Sequence, residues 1–95
     1  MEMALSDGAF RALADPTRRR ILELLARRDL TAGEIADEFP IAFPSVSRHL
    51  GVLKEAGLVA AEREGQHIRY SLNTTVYQEV IRYMMNVLGT GDDDA

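Results

Sequence analysis

Residues 43–72 read FPSVSRHLGVLKEAGLVAAEREGQHIRYSL. In the first half Val46, Leu50 and Leu53 recur at i, i+4 and i+7, the stripe of a helix with one buried face. A helix is predicted from about Pro44 to Ala56, and Gly57 ends it as a left-handed cap. Ser45, Ser47, Arg48 and Lys54 lie off the stripe and face solvent or a partner. Beyond Leu58 the period falls to two. Ile68, Tyr70 and Leu72 alternate with His67, Arg69 and Ser71, so His67 to Leu72 reads as a strand. Val59 to Glu64 reads as its neighbour, and Gly65-Gln66 as the turn between them.

Upstream, Pro40-Ile41-Ala42-Phe43-Pro44 breaks the chain before this helix. Thr31-Ala32-Gly33-Glu34 has capping-box spacing and starts a helix from Ala32 to Phe39, burying Ile35, Ala36 and Phe39. Asp29-Leu30 reads as a connector. Asp15 precedes Pro16 and can cap a helix from Pro16 to about Arg27, with Ile21, Leu24 and Leu25 inward. Arg18, Arg19 and Arg20 point three ways around its first turn. They make either a basic patch or a solvated helix start with one arginine bridged to an acid such as Glu23. A first helix covers Leu5 to Ala14, with Phe10 and Leu13 on one face.

Downstream, Asn73 or Thr74 caps a last helix from about Thr75 to Leu88. Val76, Tyr77, Val80, Ile81, Met84, Met85, Val87 and Leu88 give it a wide apolar face. Such a face is either deeply buried or covered by a second copy. A 95-residue chain has little core left to bury it, which favours the second copy. The element order is α-α-α-α-β-β-α, mainly α with a small β-hairpin. It forms one domain over residues 1–95, with 89–95 a flexible acidic tail.

With 46% hydrophobic and 27% charged residues the composition is that of a globular domain. There is no cysteine, so disulfides, thiolate metal sites and cysteine nucleophiles are excluded. No apolar run is long enough for a membrane helix, and MEMALSDGAF lacks the basic start of a signal peptide, so a cytoplasmic location is expected. The net charge of −4, from 11 basic and 15 acidic residues, argues against nucleic acid. Its distribution answers the objection. Asp92, Asp93 and Asp94 supply three negatives from the tail, while 43–54 hold no acid and carry Arg48, His49 and Lys54. Screening over about 8–10 Å makes the local field the relevant one.

Two helices joined by a short turn and followed by a hairpin make a winged helix-turn-helix. The second helix fits a major groove about 12 Å wide, and the hairpin lies along the adjacent backbone or minor groove. That role needs small polar or cationic residues at the start of the reading helix, and Phe43 to His49 supply them.

These residues resemble the ArsR/SmtB family of bacterial transcriptional repressors. The matching blocks are LADPTRRRILELL (Leu13 to Leu25), TAGEIADEF (Thr31 to Phe39), PSVSRHLGVLKEAGLV (Pro44 to Val59) and REGQHIRYSLN (Arg63 to Asn73). LNTTV at Leu72 to Val76, with the short last helix, looks most like the SdpR-like autorepressor branch. The resemblance implies a homodimer held by the first and last helices, here through Phe10, Leu13, Tyr77, Val80, Ile81, Met84, Met85 and Leu88. It implies a double-stranded operator as partner, near-palindromic to match the dimer, and a cytoplasmic, nucleoid-bound protein. DNA-binding candidates are Phe43, Pro44, Ser45, Ser47, Arg48 and His49 on the reading helix, and Arg63, Gln66, His67 and Arg69 on the wing.

Phe43 and Pro44 stand where relatives more often carry Ser, Gln or Lys. Phe43 either touches a thymine methyl or packs inside. His49 either contacts DNA or is half-buried, hydrogen-bonding a phosphate or the backbone. Arg63 and Arg69 either meet phosphate or pair with Glu62 or Glu64. Many relatives sense metals, but Ala26, Arg27 and Arg28 occupy the family's thiolate positions and the last helix has no histidine. No metal or other cofactor is expected, and the inducer is then a small molecule, a protein partner or the protein's own concentration. A winged helix used only for protein contacts is the competing reading. No nucleophile elbow, phosphate-binding glycine loop or triad points to an enzyme.

Overall fold

The computed structural model describes residues 7–89. The expected helix start at Leu5 and the aspartates of the tail lie outside them. The elements are α1 (Asp7–Leu13), α2 (Pro16–Arg27), β1 (Leu30–Thr31), α3 (Ala32–Ala36), α4 (Phe43–Glu55), β2 (Val59–Glu64), β3 (His67–Leu72) and α5 (Thr74–Leu88).

Local chemistry sets these boundaries. The Arg18 amide donates to Asp15 Oδ2 at 3.0 Å, which caps α2 just ahead of Pro16. At α3 both halves of the capping box form: the Glu34 amide donates to Thr31 Oγ1 at 3.2 Å, and the Thr31 amide to Glu34 Oε1 at 2.8 Å. Asn73, not Thr74, caps α5, accepting from the Thr75 amide at 3.2 Å. Gly57 adopts φ +80° after α4. The Leu58 amide returns to the Leu53 carbonyl and the Gly57 amide to that of Lys54, the paired bonds of a Schellman motif. Leu53 and Leu58 are both fully buried and form the apolar contact of that motif.

Two expectations are corrected. Leu30 is not part of a connector: with Thr31, which also caps α3, it forms β1, antiparallel to β3, with Leu30 opposite Tyr70 and Thr31 opposite Arg69. The sheet therefore has three strands in the order β1-β3-β2, not two. A bare β3 edge would leave backbone groups unpaired, and the buried Leu30 anchors the strand that covers it. The third helix ends at Ala36 instead of Phe39. Pro40 keeps Phe39 out of helical conformation, and the Phe39 amide turns back to the Ala36 carbonyl at 3.1 Å.

The core gathers Ile21, Leu22 and Leu25 of α2, Ile35 of α3, and Val46, Leu50 and Leu53 of α4, closed by Leu30, Leu58, Val59 and Val76. Leu24, Ala36 and Phe39 pack on its margin. Each fully buried aliphatic side chain contributes about 1.5–3 kcal/mol. The three from α4 hold that helix by its expected stripe and leave the opposite face outward.

α5 is different. Val76 is its one buried residue, and Tyr77 packs on the core margin. Farther along, Tyr83 meets Phe10 of α1 edge-on at 5.4 Å. Ile81 is 54% exposed, Met84 50% and Leu88 73%. The deeply buried alternative for this helix is thus excluded within one chain.

Candidate nucleic-acid interface

α4 begins at Phe43, with Pro44 in its first turn and Ala42 as a cap without a side-chain bond. Proline there loses nothing, because its missing N–H would have no helical partner. Phe43 is 51% exposed, so it does not pack inside. Pro44, Ser47 and Arg48 are exposed, Ser45 is half-buried and Val46 is in the core. The front of α4 thus offers one aromatic, small hydroxyls and one guanidinium. Among the described residues Arg48 has neither an ion pair nor a side-chain hydrogen bond. It lines an open groove of about 760 Å³ between α1 and α4, with Arg11, Gly51 and Val52 among the other walls.

His49 does not share that face. Its ring is turned inward, with the side chain 19% exposed, and Nδ1 stands 3.2 Å from Arg18 Nη1 and 3.9 Å from Asp15 Oδ2. Its partners are side chains of the α1–α2 corner. Nothing in the apolar periodicity of α4 pointed to this contact, which spans 31 residues of sequence.

The three arginines of α2 go separate ways. Arg20 bridges to Glu23 at 3.1 Å, the solvated alternative. Arg19 donates to the Leu13 carbonyl at 2.9 Å. Arg18 turns back under α1. They do not form a shared basic patch.

The wing is a two-residue hairpin with φ +63° at Gly65 and no positive φ at Gln66, the pattern of a II′ turn. Its register splits the four expected contact residues. Arg63 lies opposite Ile68, on the face that leads inward to Tyr70 and Leu72. Arg69 lies opposite Glu62, and His67 opposite Glu64, on the other face. Arg69 Nε donates to Glu64 Oε1 at 2.9 Å, whereas Arg63 is unpaired among the described residues. Gln66 and His67 are exposed near the tip.

On the dimer candidates, Leu13 and Tyr77 partly pack on the core, Phe10 is half-buried against Tyr83, and Val80 is half-buried. Ile81, Met84, Met85 and Leu88 are exposed. Tyr83, i+7 from Val76, was not among the expected residues, yet it ties α5 to α1. Glu79 Oε1 on α5 is a buried oxygen without a hydrogen-bond partner among the described residues. No group of three His, Asp or Glu residues able to hold a metal occurs among the described residues, and none of their helices is long and apolar enough to cross a membrane.

Comparison with known proteins agrees with this geometry. A helix-turn-helix domain model matches residues 13–62, from the end of α1 into the wing. The transcriptional repressor SdpR of Bacillus subtilis is 51% identical over 88 residues, which cover 93% of this chain and 98% of that protein. The crystal structure of an ArsR family transcriptional regulator superimposes with a TM-score of 0.83 at 30% identity, covering 87% of this chain and 91% of that one. Rv0081 of Mycobacterium tuberculosis does so with a TM-score of 0.68 at 40% identity, covering 84% and 81%. With the four sequence blocks, the winged fold and these likenesses in agreement, the chain belongs to the ArsR family of helix-turn-helix, DNA-binding transcriptional regulators, and within it is SdpR-like.

Proposed function

We propose that the chain is a cytoplasmic repressor that binds a near-palindromic operator as a homodimer, with one α4 in the major groove of each half-site. The observation that carries this reading is the outer face of α4. It is free of acids through its first three turns, exposes Phe43, Ser47 and Arg48, and leaves Arg48 unpaired among the described residues. A bidentate arginine on guanine and an aromatic on a thymine methyl are both suited to such a face. Arg63 and Gln66 near the wing tip touch the backbone and add affinity without sequence information. Repression is the role named for the SdpR relative.

Dimerisation is supported by α5. Tyr77, Val80, Ile81, Met84 and Leu88 form a helical stripe that leaves the core after its first residue. Phe10 and Leu13 of α1 continue the surface, and Tyr83 on Phe10 holds the two helices together. A second copy covers this apolar face.

The test is fluorescence anisotropy with a labelled duplex from upstream of the protein's own gene. It is titrated at about 50 and 200 mM salt against an unrelated competitor duplex. The reading predicts tight binding that survives the competitor and weakens with salt. Absence of binding to any duplex at low salt would favour a module for protein contacts.

A further inference from the structure

Arg18 joins three elements, and each of its three guanidinium nitrogens makes one contact. Nε donates to the Ala12 carbonyl at 2.8 Å and Nη2 to the Arg11 carbonyl at 3.3 Å. These are carbonyls from the last turns of α1, where helical partners run out and a cation is favoured. Nη1 meets His49 Nδ1 at 3.2 Å. Arginine has donors and no acceptor, so Nδ1 accepts and the proton of the neutral ring sits on Nε2. Asp15, which caps α2 through the Arg18 amide, closes the cluster from the side. The end of α1, the start of α2 and the second turn of α4 are thereby pinned to one another.

α4 is otherwise held by the apolar stripe of Val46, Leu50 and Leu53. Apolar burial is non-directional and resists removal of the helix better than its rolling. With side chains about 5–6 Å from the axis, a roll of about 10° moves their tips by about 1 Å. That is enough to spoil a bidentate hydrogen bond from Arg48, the residue next to His49. A directional contact at His49 is placed to prevent it.

We propose that Arg18 is a positioning residue for DNA recognition, which fixes the roll of α4 against α1 through His49 without itself touching DNA. This rests on the reading of α4 as the helix that reads DNA. Because α1 also borders the proposed dimer interface, the same latch sets how two reading helices are presented together.

The probe is a duplex selected by the wild-type protein from a random-sequence library, compared with an unrelated duplex. Arg18→Lys keeps the charge but cannot span three acceptors. It is expected to lose about tenfold or more in affinity for the selected duplex. Affinity for the unrelated duplex and the salt slope should not change. His49→Leu should do the same, and the double variant should be no worse than either single one. His49→Asn, which keeps an acceptor near the Nδ1 position, should stay within about threefold of wild type. Thermal melting establishes that each variant is folded, and the Leu and Asn pair carries the comparison if Arg18→Lys is not. Equal losses on both duplexes, with a salt slope flatter by about 0.9, would make Arg18 a phosphate contact and overturn the proposal. Unchanged specific affinity in folded Arg18→Lys and His49→Leu would overturn it too. Arg48→Ala is measured alongside. If it loses specific affinity while the latch variants do not, only the latch fails; if it loses none, the reading of α4 fails as well.

Discussion

At Arg48 the guanidinium stands in solvent on a helix whose first three turns contain no acid, and it has no ion pair among the described residues. A base contact therefore needs no internal bond to be broken first. Replacing Arg48 with Ala is expected to cost about 1–3 kcal/mol in operator binding and to relax specificity at one base pair. An unchanged Kd in the folded variant would remove that assignment. Asp15 answers to a different variable. The Arg18 amide, aided by the Arg18 charge, holds its carboxyl below the ordinary value. Glu34 is held low by the Thr31 amide. A depressed folded pKa adds stability that is complete above the unfolded value, about 4, and is lost as pH falls through the folded one. Asp15→Asn keeps a good cap but cannot titrate. Acid unfolding followed by circular dichroism should show a shallower loss of stability below about pH 4 in this variant. An identical acid profile would contradict the role given to Asp15. Both caps were legible from spacing alone, because a cap involves neighbours three residues apart. Half-burial of His49 was one of two readings open in the sequence, but its partners Arg18 and Asp15 were not legible, since they belong to the α1–α2 corner.

At the level of elements, period decided most of what the sequence revealed. The Val46-Leu50-Leu53 stripe and the alternation of Ile68, Tyr70 and Leu72 each gave the right element in the right place. Both are regular, and one face of each is covered. β1 escaped because two residues have no period and their pairing partners lie about forty residues on. The predicted α3 runs three residues too far because Ile35, Ala36 and Phe39 fit a helical face, whereas Pro40 disfavours helix at the residue before it. The wing gives the sharpest element-level prediction. Arg63 and Arg69 differ by face and by pairing, since only Arg69 is tied to an acid, Glu64. Exposed pairs of this kind are worth about 0–1 kcal/mol, so the tie weakens Arg69 as a phosphate ligand without disabling it. Arg63→Ala should flatten the salt dependence of binding by about 0.9 in slope, and Arg69→Ala by less. If Arg69→Ala has the larger effect, the wing meets the backbone with its other face.

Across the whole molecule the decisive feature is an α5 that leaves its own core. It is about 22 Å long, yet the chain buries only Val76 among its side chains. The width of its apolar face was readable from the sequence; that Ile81, Met84 and Leu88 stay exposed among the described residues needed the fold. Ile81 is half exposed, so Ile81→Glu should leave the protomer folded and convert a dimer to a monomer in sedimentation. A dimeric mass in that variant would place the interface elsewhere. Loss of the dimer should also cost operator affinity, because two linked half-sites bind far more tightly than one. The central claim is that a two-fold dimer places two copies of α4 in successive major grooves of one operator. Methylation interference on the bound duplex tests it most directly, since a methyl group on guanine N7 blocks major-groove contacts. Two clusters of interfering guanines are expected on one face of the duplex, centred about 34–36 Å apart or a multiple of it, both weakened by Arg48→Ala. A single cluster, or binding indifferent to methylation throughout, would contradict it.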